Sequence, residues 1–163
     1  MDISRKTDYA LRMLAALVSD PDGIISVRTA AKENNIPYSF ARSIQHDLAV
    51  AGIVENTRGA NGGMRLAVDP RETTLLRVVE ALQGSVALSC CADPAGDGVP
   101  CPNRPTCHFS PVWCNAESLL RSFFSSVTLH DLVVEGRSPV FEGSFRLVGE
   151  GEARVAANID EAE

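Results

Sequence analysis

No run of about eighteen apolar residues occurs in the 163-residue chain, so a membrane-spanning helix is not expected. The opening Met1-Asp2-Ile3-Ser4-Arg5-Lys6-Thr7-Asp8 has no apolar core behind its basic residues. It does not resemble a secretory signal, and the expected location is the cytoplasm. Catalytic groupings are missing too. There is no paired-carboxylate motif, no Gly-x-Ser-x-Gly and no phosphate loop. Arg58-Gly59-Ala60-Asn61-Gly62-Gly63 is glycine-rich, but no Lys-Ser/Thr follows it. The chain is therefore not expected to be an enzyme. No internal repeat is found. A strongly basic region is also lacking. Residues 1–70 carry eight Lys/Arg and eight Asp/Glu, whereas residues 71–163 carry seven basic and thirteen acidic groups, and so all of the net charge of −6. Binding to nucleic acid would have to rest on a few well-placed arginines, with the acidic half turned away.

Cysteine is absent from most of the chain, and all five fall between Cys90 and Cys114. The intervening residues are mainly Pro, Gly, Asp and Asn, with little apolar periodicity. Such a segment buries too little surface to order itself. A metal, a disulfide or nothing at all can hold it. A cytoplasmic setting keeps thiols reduced and favours metal. Thiolates are soft ligands that suit iron–sulfur clusters and zinc. Structural zinc sites favour a short Cys-x2–4-Cys knuckle, whereas Cys101 and Cys107 enclose five residues and suit a larger cluster. Thiols without metal remain compatible. Cys114 reads as a core residue, and His108 as an exposed loop histidine.

The ordered part of the chain reads as follows. Ile3, Ala10, Met13, Leu14, Leu17 and Val18 recur at helical spacing and predict a helix over residues 2–19. Asp20-Pro21-Asp22-Gly23 stops it. Ser26 is placed to cap a short helix from Val27 to Asn34. After the turn at Asn35-Ile36, Pro37 opens a third helix to Val50, with Phe40, Ile44 and Leu48 as its buried stripe and Gly52 beyond its end. Two short strands, Ile53–Thr57 and Met64–Val68, flank the glycine-rich loop and predict a hairpin. Thr73 or Thr74 is expected to cap a helix ending at Gly84. From about Pro111 a longer helix follows, with Trp113, Ala116, Leu120, Phe123 and Val127 stepping as a coiled-coil seam. It is too short to be stable alone, so it is expected to pair with its copy. Thr128 looks like a new N-cap for one further short turn.

The expected fold is mostly α with a small β-hairpin wing: a winged helix-turn-helix domain plus a long dimerisation helix. The expected division is a DNA-binding domain at residues 1–84, a cysteine-rich loop at 85–110, a dimerisation helix at 111–135 and a flexible tail at 136–163. That tail holds at most one loose strand, Phe145–Val148.

The opening Asp2–Arg12, the Ile36-Pro37-Tyr38-Ser39-Phe40 helix start, the wing Arg58–Leu66, Cys101-Pro102 and Cys107 before Trp113, and Thr128–Leu132 occur in a telling order. On these residues the chain resembles the Rrf-two family of bacterial winged-helix regulators, over roughly residues 1–135. The resemblance implies a homodimer on a palindromic double-stranded DNA operator, with each recognition helix in a major groove and each wing near a minor groove. It also implies an iron–sulfur cluster, 4Fe–4S or 2Fe–2S, held by a three-cysteine loop. In one branch of the family the fourth ligand is an Asp on the first helix of the other protomer, and Asp8 stands at that place. The implied ligands are Cys91, Cys101, Cys107 and Asp8, with Cys90 as an alternative to Cys91. The family spacing is Cys-x5-Cys-x5-Cys. Here Cys91 precedes Cys101 by nine intervening residues, and Cys90 by ten. Read without the resemblance, Asp8 is a surface carboxylate.

For DNA contact, Ser39, Arg42 and Ser43 are expected to project from the first turns of the third helix, where base edges are read. Arg42 suits a bidentate pairing with guanine. Tyr38 and the helix N-terminus suit phosphate. Arg58 and Asn61 at the wing tip suit an A·T-rich minor groove. Arg5 and Lys6 are candidates for phosphate contacts or plain surface charges. Two other readings stay open: a metal-free regulator governed by thiol oxidation or a partner protein, and an interaction protein that uses the winged helix for protein contacts.

Overall fold

The computed structural model describes residues 2–59, 62–88 and 101–143. The chain divides into two units: Asp2–Gly84 with Phe124–Ser138, and Ser85–Phe123 with Pro139–Glu163 and Met1.

The first unit is built on α1 (Arg5–Ser19), α2 (Val27–Glu33) and α3 (Tyr38–Val50). Helix α1 starts later than its apolar pattern suggests. Ser4 is its N-cap and accepts from the Thr7 N–H at 3.1 Å, which leaves Ile3 outside the helix and exposed. Ala10, Met13, Leu14, Leu17 and Val18 then line one buried face. Ser26 caps α2 in the same way. The turn to α3 passes through Asn35 at φ 53°, a left-handed conformation that Asn tolerates better than most residues. The Ile36 N–H closes that turn on the Ala31 carbonyl at 2.8 Å.

Helix α3 corrects one expectation. Its buried stripe is Ala41, Ile44 and Leu48, and Phe40 is half exposed. Both 40/44/48 and 41/44/48 satisfy helical spacing. The small Ala41 faces inward, as Ala30 and Ala31 of α2 do. Small residues there let α2 and α3 approach closely. Phe40 instead turns its ring edge-on to Tyr9 of α1, with centroids 6.3 Å apart.

After Gly52 at φ 66° the chain forms the hairpin β1 (Val54–Thr57) and β2 (Gly63–Leu66), paired antiparallel with Val54 opposite Leu66. Met64 of β2 also bonds both ways with Ile25, at 2.9 and 3.0 Å. That pairing anchors the wing to the segment before α2.

Helix α4 (Leu75–Gln83) is capped by Thr74 and ends at Gly84. Its last residue clasps the start of α1. Gln83 Oε1 accepts from the buried Thr7 hydroxyl at 2.8 Å and from the Ser4 N–H at 3.2 Å. Helix α6 (Leu129–Val133) packs on α1. It is tied to the start of α4 by Leu75 N–H to Val127 O at 3.0 Å and Leu129 N–H to Thr73 O at 2.9 Å.

In the second unit, a short 3-10 turn at Arg104–Thr106 separates Cys101 from Cys107, and α5 (Ser110–Ser125) begins after it. Val112 is 56% exposed, Trp113 43% and Leu119 37%. The expected strand at Phe145–Val148 lies outside the described residues. Among the described residues, no helix is long and apolar enough to cross a membrane.

Candidate nucleic-acid interface and cysteine segment

Helix α3 carries Ser39, Arg42 and Ser43 on its exposed side, opposite the Ala41, Ile44 and Leu48 stripe. Tyr38 opens the helix and is largely exposed; the guanidinium of Arg28, from the first turn of α2, lies over its ring at 5.2 Å. The wing stands beside α3. Gln45 of α3 donates to the Asn56 side chain of β1 at 2.6 Å. The hairpin loop turns on Gly59 at φ 123°, a conformation that favours glycine. Gly62 donates to the Gly59 carbonyl at 3.0 Å. Arg58 is exposed next to this turn, and Asn61 lies outside the described residues.

Between α2, α3 and the wing runs an open groove of about 360 Å³, bordered by Arg28, Tyr38, Arg42, Gln45, Asn56 and Arg58. The described residues lining it include no carboxylate. The neutral charge sum of residues 1–70 is thus unevenly distributed in space. Arg12 pairs with Asp8 at 2.8 Å, Arg65 with Glu55, and Lys6 with Asp47. Among the described residues, Arg28, Arg42 and Arg58 are in no ion pair, and all three are exposed. Arg5 is exposed at the start of α1, whereas Lys6 is taken up by its pairing with α3. Sequence reasoning did not place Arg28, Gln45 and Asn56 beside this groove. The signal for Arg28 was its place just after the Ser26 cap, where a side chain flanks the start of a helix.

In the cysteine segment, Cys101, Cys107 and Cys114 are free and half-buried. The Arg104 N–H donates to the Cys101 carbonyl at 3.1 Å, and the Thr106 N–H to the Asn103 carbonyl at 3.1 Å. These bonds shape the short turn between the first two thiols. Cys114 sits in the first turns of α5. Cys90 and Cys91 lie outside the described residues. Asp8 is about half exposed on α1, with its carboxylate on Arg12 one turn away. Among the described residues, no three His, Cys, Asp or Glu side chains converge as a metal site would require.

A family model described as Rrf2, an iron-dependent transcriptional regulator, matches residues 3–135. The chain belongs to the Rrf2 family of transcriptional regulators. The regulator NsrR of Halalkalibacterium halodurans is 31% identical over 134 residues, 82% of this chain and 90% of that one. The transcriptional repressor NsrR of Streptomyces coelicolor is 31% identical over 145 residues, covering 88% of this chain and 95% of its own. The oxidized form of CymR from Staphylococcus aureus superposes with a TM-score of 0.62 at 26% identity, over 82% of this chain and 96% of that one. Within this Rrf2 chain, α2 and α3 form the helix-turn-helix and β1–β2 the wing.

Proposed function

We propose that this Rrf2-family chain is a dimeric, sequence-specific DNA-binding regulator whose grip on its operator is governed by an iron–sulfur cluster. The observation that carries the reading is the pair of free, half-buried thiols, Cys101 and Cys107, spaced by five residues in a chain whose family model is described as iron-dependent. Soft thiolates of this kind fit a cluster. The holders would be Cys101, Cys107, Cys91 or Cys90, and Asp8 of the partner subunit. When bound, the cluster supplies an iron corner open to NO, oxidants or iron loss.

The chain's own residues do the rest. Arg42, Ser39 and Ser43 read base edges, with Arg42 suited to guanine. Arg58 and Asn61 reach the minor groove, and Tyr38 and Arg5 hold phosphate. Asp8 lies on the same helix as Tyr9, which touches Phe40 in the first turn of α3. Recruitment or release of the Asp8 carboxylate therefore acts on a helix in contact with the reading head.

The test is oxygen-free purification of wild type and Asp8→Ala, with absorbance, iron and sulfide measured beside operator binding. The expected wild type is coloured and contains iron and sulfide, and Asp8→Ala alters the spectrum and weakens control of DNA binding. A colourless, iron-free wild type that binds its operator normally would reject the cluster. That outcome would favour a second reading, control by thiol oxidation. The free thiols, and the similarity to a regulator solved in an oxidized form, support it. On either reading, Arg42→Ala is expected to relax base preference by about 1–3 kcal/mol at one position.

A further inference from the structure

We propose that the groove between α2, α3 and the wing seats the sugar–phosphate backbone of one DNA strand, and that Arg28, aimed by the Tyr38 ring, is a phosphate clamp. This inference rests on the DNA-binding reading above and assigns a residue that reading does not use.

Three observations carry it. The first is electrostatic. Arg28, Arg42 and Arg58 border one groove whose described lining has no carboxylate, whereas Lys6, Arg12 and Arg65 are each matched by an acid. Five cations of residues 1–70 are in no ion pair among the described residues; Arg28, Arg42 and Arg58 share this groove, whereas Arg5 and Lys32 do not line it. A concave surface focuses the field of the three. The second is geometric. The groove lies between the base-reading positions of α3 and the turn of the wing. A strand whose neighbouring grooves are entered by α3 and by the wing must cross this interval. The third is preorganisation. Arg28 is exposed and long, and such a side chain ordinarily loses rotamer freedom when it binds. Its guanidinium already lies over the Tyr38 ring at 5.2 Å. A stacked planar guanidinium keeps its N–H edges available for phosphate oxygens. Across the groove, the Gln45–Asn56 bond at 2.6 Å braces the wing against α3 and holds the width.

The experiment titrates full-length wild type, Arg28→Ala, Arg28→Lys, Tyr38→Ala and the Arg28→Ala/Tyr38→Ala double variant against operator and scrambled duplex over a range of salt. Arg28→Ala is expected to weaken both duplexes by the same factor, about tenfold. The steepness of the salt dependence should fall by about one unit. Arg28→Lys restores the slope and only part of the affinity, because charge returns without the planar edge. The double variant loses less than the sum of the two single losses, because part of what Tyr38→Ala removes is the aim of Arg28. An unchanged salt slope in Arg28→Ala, or a change confined to operator over scrambled DNA, would overturn the clamp while leaving DNA binding intact. Fully additive losses would overturn the role of Tyr38. Failure of wild type to bind any duplex would overturn the underlying reading as well.

Discussion

Gly63 shows how much of the wing depends on one missing side chain. A Cβ built there would meet the Ile25 carbonyl oxygen at 2.5 Å. That carbonyl accepts the Met64 N–H at 2.9 Å, so it cannot move away without breaking the bond that docks β2. Glycine within a strand often marks such a close backbone approach. Gly63→Ala is expected to destabilise the fold by about 1–3 kcal/mol, read as a lowered midpoint of thermal unfolding. An unchanged midpoint would mean that the docking of the wing is loose. The glycines around Gly63 were legible as hairpin residues, but the particular demand on it was not. It comes from Ile25, far away in sequence. Arg28 and Tyr38 are similar: each reads as a surface residue, and only the turn at Asn35 brings them together. That Ser39, Arg42 and Ser43 stand on the exposed side of α3 could be named beforehand because it follows from the period of one helix. The ligands of the proposed cluster could be narrowed only to residue types, since spacing along a loop does not determine which sulfurs meet.

Among the elements, those with a local cause were legible. Helices α1 and α2, the hairpin and the start of α6 each announce themselves by a cap, a period or a turn within about ten residues. Phe40 was misplaced because two apolar stripes, one stepping by four and four and the other by three and four, both satisfy helical spacing in α3. Packing against the alanines of α2, which the period does not encode, decides between them. Helix α6 has only five residues, and its first turn is closed by a capping box. The Thr128 hydroxyl donates to Asp131 Oδ2 at 2.6 Å and the Thr128 N–H donates to the same oxygen at 3.1 Å, while Arg137 meets Oδ1 at 2.7 Å. The Thr128 bonds first, and then the Arg137 charge, hold the Asp131 carboxyl below its ordinary pKa. A carboxyl whose pKa is lowered by folding stabilises the fold fully above its unfolded pKa. That contribution disappears as pH falls through the folded value. Asp131→Asn should therefore lower the unfolding midpoint at neutral pH, and the gap to wild type should begin to close as pH falls to the usual carboxylate value and vanish below the lowered folded one. Thermal melts of both proteins across pH would check this, and a gap independent of pH would show that the carboxylate charge contributes nothing.

On the proposed reading, helix α5 pairs two copies of the chain. It keeps Val112, Trp113 and Leu119 exposed, and three large apolar side chains within eight residues of one helix form a patch that water covers poorly. The expected seam of Trp113, Ala116, Leu120, Phe123 and Val127 is only partly kept. Trp113 and Phe123 are exposed on α5, whereas Val127 lies beyond its end and is buried beside the start of α4. A two-fold pairing through the exposed side of α5 would present two reading heads to a palindrome. Trp113 is the largest group in that patch, and aromatic residues commonly dominate such interfaces. Trp113→Asp places a charge there and should convert a dimer to a monomer, as sedimentation would report. Binding to a full palindrome should then fall by about a hundredfold or more, because the second half-site contact loses its effective concentration. Binding to a single half-site should change little, since α3 and the wing belong to the other unit. A variant that stays dimeric would remove α5 from the interface. One that becomes monomeric yet keeps its affinity for the full palindrome would separate the pairing of chains from operator recognition.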